Sequence, residues 1–129
     1  MPFGPGWALV GDAGYLRDFI TAQGISDAFR DAELCATALD QVFSGARAYD
    51  DAMGEYRSTR DAQVLPMYEF TLQFARLAPP PPEQQQLLAA VHGNQAAMDG
   101  FVQVMAGVRS PADFFSPDHV AWIMRGDHR

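Results

Sequence analysis

Apolar residues first gather in a short run, Trp7-Ala8-Leu9-Val10, that passes directly into Gly11-Asp12-Ala13-Gly14. Four consecutive apolar positions closed by glycine read as a buried strand. The preceding Met1-Pro2-Phe3-Gly4-Pro5-Gly6 reads as loop, so the strand lacks a visible partner and expects a sheet supplied from elsewhere. From Ile25 the period changes. Ile25, Ala28, Phe29, Ala32, Cys35, Ala36, Leu39, Val42 and Phe43 recur at steps of three and four, which predicts a helix with one buried stripe. Gly45 stands where that helix stops.

A second helix is predicted from about Ala48 into the 70s, carrying Tyr49, Met53, Tyr56, Leu65, Tyr68, Leu72, Phe74 and Leu77, with a kink or break near Pro66. The run Pro79 to Pro82 ends it, because consecutive prolines supply no N–H donors and favour an extended conformation. Pro82 can open a third helix over Glu83 to His92, with an acid at the positive end of its dipole. Asn94 caps a fourth helix that runs to about Ala106 and stops near Gly107. Ser110-Pro111 and Ser116-Pro117 each read as a cap followed by proline at the first helical position, so two short helices close the chain. The expectation is a mostly α chain: one short N-terminal strand, then five or six helices. Residues 1–45 form one part and residues 46–129 a helical tail interrupted at Pro79–Pro82.

The segment from Trp7 to about Asp40 resembles the C-terminal part of the FAD-dependent monooxygenase superfamily, the aromatic-ring hydroxylases and the geranylgeranyl-reductase-like oxidoreductases. The resemblance is carried by Gly11-Asp12-Ala13-Gly14, by Thr21-Ala22-Gln23-Gly24-Ile25, and by Asp27-Ala28-Phe29-Arg30-Asp31-Ala32-Glu33-Leu34. Arg60-Asp61 and Leu65-Pro66-Met67-Tyr68 look like that family's helical tail. The resemblance implies a C-terminal fragment of an α/β FAD-binding fold of the glutathione-reductase type. It further implies FAD as cofactor, NAD(P)H as reductant and a small organic molecule as substrate. It places Gly11, Asp12 and Ala13 at the ribityl chain, with Asp12 accepting a hydroxyl hydrogen bond. It sets the amides of Gly24 and Ile25 beneath the pyrimidine end of the flavin ring. An acid near Asp31 packs behind the flavin-facing helix.

Two departures limit what the resemblance carries. Where many members place proline in the loop after the aspartate, this chain reads Tyr15-Leu16-Arg17-Asp18-Phe19-Ile20. No G-x-G-x-x-G fingerprint with an acid about twenty residues later occurs anywhere, so nothing here holds the ADP half of FAD. The chain is therefore expected not to catalyse without upstream nucleotide-binding and substrate regions, and no catalytic residue is assigned.

Charge and composition narrow the alternatives. Sixteen acidic against nine basic residues give a net charge of −7, and there is no lysine, which argues against nucleic-acid binding. Neither a signal peptide nor a run of about 18 apolar residues is present, so a cytoplasmic protein without a membrane span is expected. Cys35 fits a core position. His92, His119 and His128 are dispersed and no residues show metal-ligand spacing. Arg17 and Asp18 read as a solvated loop pair. The aromatics Tyr49, Tyr56, Tyr68, Phe70, Phe74 and Phe114-Phe115 read as core before they read as a substrate cavity. Ser44, Ser58 and Thr59 lack a partner base. The expected partner of the flavoprotein reading is an upstream flavoprotein half; the alternative is a non-enzymatic helical interaction protein or relic that self-associates through its exposed strand as a homo-oligomer.

Overall fold

The computed structural model describes residues 1–126 and forms two compact units, Met1–Leu72 and Gln73–Arg129. The first opens with an antiparallel hairpin. Strand β1 (Phe3–Gly4) pairs with β2 (Trp7–Ala8) in the register Phe3 opposite Ala8 and Gly4 opposite Trp7. Pro5 and Gly6 fill the turn, and Gly6 has the positive φ of 80° that the third position of a type II turn demands. The strand over Trp7–Val10 is thus shorter than its apolar run suggests, and its partner is the segment read as loop. The Leu9 amide donates to the Pro2 carbonyl at 2.7 Å.

A 3₁₀ turn at Gly11–Ala13 and another at Phe19–Thr21 lead into α1 (Gly24–Phe43). Gly45, at φ 76°, closes α1 where expected. Helix α2 (Tyr49–Ala75) then runs on without the expected break, with Pro66 inside it. A proline here removes one i to i−4 hydrogen bond, and burial on both sides of it, at Val64 and Met67, holds the helix together. The core of this unit is Cys35, Ala38, Ala52, Met53 and Tyr56, with Phe3, Leu34 and Val42 packed against it. Met53, completely buried among them, contributes about 1.5–3 kcal/mol. Two tyrosines of α2 tie the hairpin region down: Tyr49 donates to the Gly4 carbonyl and Tyr56 to the Leu9 carbonyl, both at 2.6 Å.

The buried face of α1 differs from the predicted stripe. Ile25 and Phe29 are 76% and 75% exposed and Phe43 is also exposed, while the buried positions are Asp27, Asp31, Cys35 and Ala38. The period is helical but the face is rotated, because two carboxylates occupy inward positions that an apolar count cannot recognise.

In the second unit, α3 (Pro82–Val91), α4 (Gln95–Met105), α5 (Pro111–Phe114) and α6 (Pro117–Arg125) start where the proline and cap positions predict, although the Ser116 side chain does not cap α6 and its hydroxyl donates to the Asp113 carbonyl at 2.9 Å. Asn94 accepts from the Ala97 amide at 3.1 Å and Ser110 from the Ala112 amide at 3.2 Å. Phe114 is completely buried, edge-on to Phe101 at 5.8 Å and to Phe115 at 5.0 Å. Its carbonyl lies 2.7 Å from Nδ1 of His119, whose ring stacks on Trp122 at 5.3 Å. Among the described residues no helix is long and apolar enough to cross a membrane. His128 lies outside the described residues.

Candidate functional site

The turn Gly11–Ala13 lies against α1, and glycine is required for it to do so. Gly11 has φ 54°, and a Cβ there would sit 2.9 Å from Cβ of Ala28. The Gly11 amide donates to Oδ2 of Asp31 at 3.1 Å across twenty residues of sequence. Asp31 is fully buried. One turn earlier on the same helix, the buried Asp27 pairs with Arg17 through Oδ2 and with Arg30 through Oδ1 at 2.8 Å. Arg30 also reaches Asp31 at 3.5 Å. Burying an ion costs several kcal/mol unless partners replace its water. Here two guanidinium groups and a backbone amide do so.

Arg17 is therefore not the solvated residue expected; its side chain is 5% exposed and bound to Asp27. Asp18 does lie at the surface, where it accepts from the Ile20 amide at 2.9 Å and caps the second 3₁₀ turn. Burial, reinforced by the Asp27 carboxylate, holds the Tyr15 hydroxyl well above the usual phenol range, so it stays protonated. Nη1 of Arg17 and Nε of Arg30 are buried donors that find no acceptor among the described residues.

Asp12, which follows this anchored glycine, is exposed, and so is Ala13. The structure brings Asp12 to Gly24: a Cβ on Gly24 would lie 3.7 Å and 3.9 Å from the two Asp12 carboxylate oxygens. Gly24 is the first residue of the twenty-residue α1 and Ile25 the second. The side chain of Gln23, which precedes the helix, does not cap it and donates to the Thr21 carbonyl at 3.1 Å. Of the residues singled out from the sequence, Asp12 and Gly24 thus come together as one carboxylate beside one helix N-terminus. Leu16, Phe19, Ile25 and Phe29 stand exposed in the same part of the sequence, Phe19 at 91%.

A second feature of the same unit went unread in the sequence. A cavity of about 580 Å³ lies between Tyr15-Leu16 and the face of α2 that carries Arg60, Val64, Leu65 and Tyr68. Arg60 is buried, with Nε and Nη2 on Asp61 at 3.1 and 2.7 Å and its guanidinium over the rings of Tyr15 and Tyr56 at 5.5 and 5.9 Å. The signal for it was a charged pair set between apolar helix positions. Of the aromatics, Tyr56, Phe70 and Phe114 are buried, whereas Tyr68 lines this cavity. Among the described residues no group of histidine, cysteine and carboxylate side chains could hold a metal ion. No family model, curated protein or solved structure matches the chain.

Proposed function

We propose that the chain is the flavin-facing C-terminal part of an FAD-dependent, NAD(P)H-using monooxygenase-like oxidoreductase. In this reading the Asp12 carboxylate accepts a hydrogen bond from a ribityl hydroxyl, and the amides of Gly24 and Ile25 lie under the pyrimidine end of the ring. One observation supports it above the others: an exposed carboxylate stands beside the first residue of a twenty-residue helix. Such a helix start presents unpaired N–H groups and the positive end of a dipole, which favour an electron-rich ring edge that gains negative charge on reduction. Flavin, when bound, supplies the redox chemistry; the residues of this chain bind, orient and electrically bias it. The exposed side chains of Leu16, Phe19, Ile25 and Phe29 fit a surface that receives a ligand or further polypeptide. The ADP half, for which the sequence holds no phosphate-binding turn, is supplied by other polypeptide. Self-association through an unpaired strand has less to build on, since Trp7–Ala8 pair with Phe3–Gly4.

The test is a titration of the chain with riboflavin and with FAD, followed by visible absorption and by the backbone amide resonances of residues 11–14 and 24–26. These resonances are expected to move, and Asp12→Ala to weaken binding by about ten- to a hundredfold, the loss of one hydrogen bond to a charged acceptor. A folded chain whose amides ignore both flavins overturns the reading.

A further inference from the structure

We infer that Asp31 and Asp27 are positioning residues for Asp12: two buried carboxylates, one turn apart on α1, fasten both ends of the loop that carries it. The functional meaning of this latch rests on the flavin-facing reading above, while its mechanics rest on geometry alone. At the near end, Asp31 holds the Gly11 amide at 3.1 Å and so fixes the residue immediately before Asp12. At the far end, Asp27 holds Arg17, whose side chain is nine-tenths buried. Arg30 joins the two carboxylates, at 2.8 Å from Asp27 and 3.5 Å from Asp31.

The composition of this face makes no sense as packing. Positions 27 and 31 continue the inward series of Cys35 and Ala38, where an apolar side chain avoids the desolvation of an ion. The carboxylates are there for what they bind. Attachment points at i and i+4 lie about 6 Å apart along the helix axis, so the loop is held at two places rather than one. Gly24, which Asp12 approaches, stands three residues before Asp27 on the same helix. Helix α1 thus carries both the amides offered to a ligand and the groups that set Asp12 in front of them.

The experiment compares Asp31→Leu, which removes the acceptor at similar size, with Asp31→Asn, which keeps one, and with Arg17→Gln, which opens the far end. In each background Asp12→Asn is added and the Gly24 and Ile25 amide resonances are read. In the native background both resonances move. In Asp31→Leu the Gly11 amide is expected to exchange about tenfold faster or more while amides 32–43 keep their rates, and the response of Gly24 and Ile25 to Asp12→Asn collapses. Asp31→Asn retains the response. An undiminished response in Asp31→Leu, or identical behaviour of the Leu and Asn variants, overturns the inference. If Asp31→Leu does not fold, Arg17→Gln decides, and an undiminished response there overturns it equally. With riboflavin present, Asp31→Leu weakens binding about tenfold and Asp31→Asn stays within about threefold. Absence of riboflavin binding in the native chain defeats the flavin reading, and the Gly24 and Ile25 response still judges the latch.

Discussion

Cys35 lies one helical turn beyond Asp31, and the chemistry of that neighbourhood has a measurable consequence for pH. Burial first, and the Asp31 carboxylate second, push the Cys35 thiol above its ordinary value. The unfolded chain releases this proton near pH 8.5 while the folded chain retains it. The associated stability is therefore complete below about pH 8 and declines as pH rises through the folded value. Tyr56, raised by burial and then by Asp31, and Tyr15, raised by burial and then by Asp27, extend the decline above about pH 10. Urea midpoints are expected to be flat from about pH 7 to 8 and to fall by about pH 9.5, with Cys35→Ala removing the first part of the slope. A midpoint independent of pH across that range refutes the assignment. The thiol itself is inert in this setting, since the reactive species is the thiolate.

At the scale of elements, two glycines predict opposite outcomes for the same change. Gly11→Ala places a methyl 2.9 Å from Ala28 Cβ at a φ of 54°, and the strain is expected to cost about 1–3 kcal/mol. Gly54, inside α2, has no atom within 4 Å of a Cβ that would be added there. Gly54→Ala is expected to stabilise the chain by about 0.5–1 kcal/mol. Paired urea denaturation curves check both signs. The helices of the second unit were legible because proline at the first turn, Asn94 and Ser110 as caps, and glycine at the ends act locally, whatever packs around them. The hairpin was missed although Pro5-Gly6 is itself a type II turn signal, because neither two-residue strand shows an alternating pattern. The buried face of α1 was missed for a different reason. Inward carboxylates depend on partners at Gly11 and Arg17, distant in sequence, so periodicity assigned the stripe to Ile25 and Phe29. Pro66 predicts a kink or break because local propensity argues so, and packing on either side keeps the helix unbroken. Asp12 and Gly24 stand out in the sequence as the acid after a short apolar run and the glycine before a helical period; the latch beside them does not, since it appears only when residues 11, 17, 27 and 31 share one place.

For the whole molecule, a net charge of −7 keeps like chains apart while several large apolar side chains face outward. Position decides what such side chains do for stability. Phe29→Ser is expected to alter stability by no more than about 0.5 kcal/mol, as for a surface change, and to reduce binding of an apolar fluorescent dye. Phe114→Ala, at a fully buried position, is expected to cost about 3–5 kcal/mol. Calorimetry with dye titration checks the pair; a large loss from Phe29→Ser shows that this face is packed rather than offered.

Each of the two compact units carries one tryptophan. The chain has two tryptophans, Trp7 in the hairpin of the first unit, lying so close over Gly4 that a Cβ there would meet its indole at 2.8 Å, and Trp122 stacked on His119 in the second. Replacing either one leaves a single tryptophan, whose emission, excited at wavelengths the four tyrosines do not absorb, reports on one unit alone. Emission followed through denaturation in the two single-tryptophan proteins then tells, without any label, whether the hairpin and the helical end melt as one event or as two.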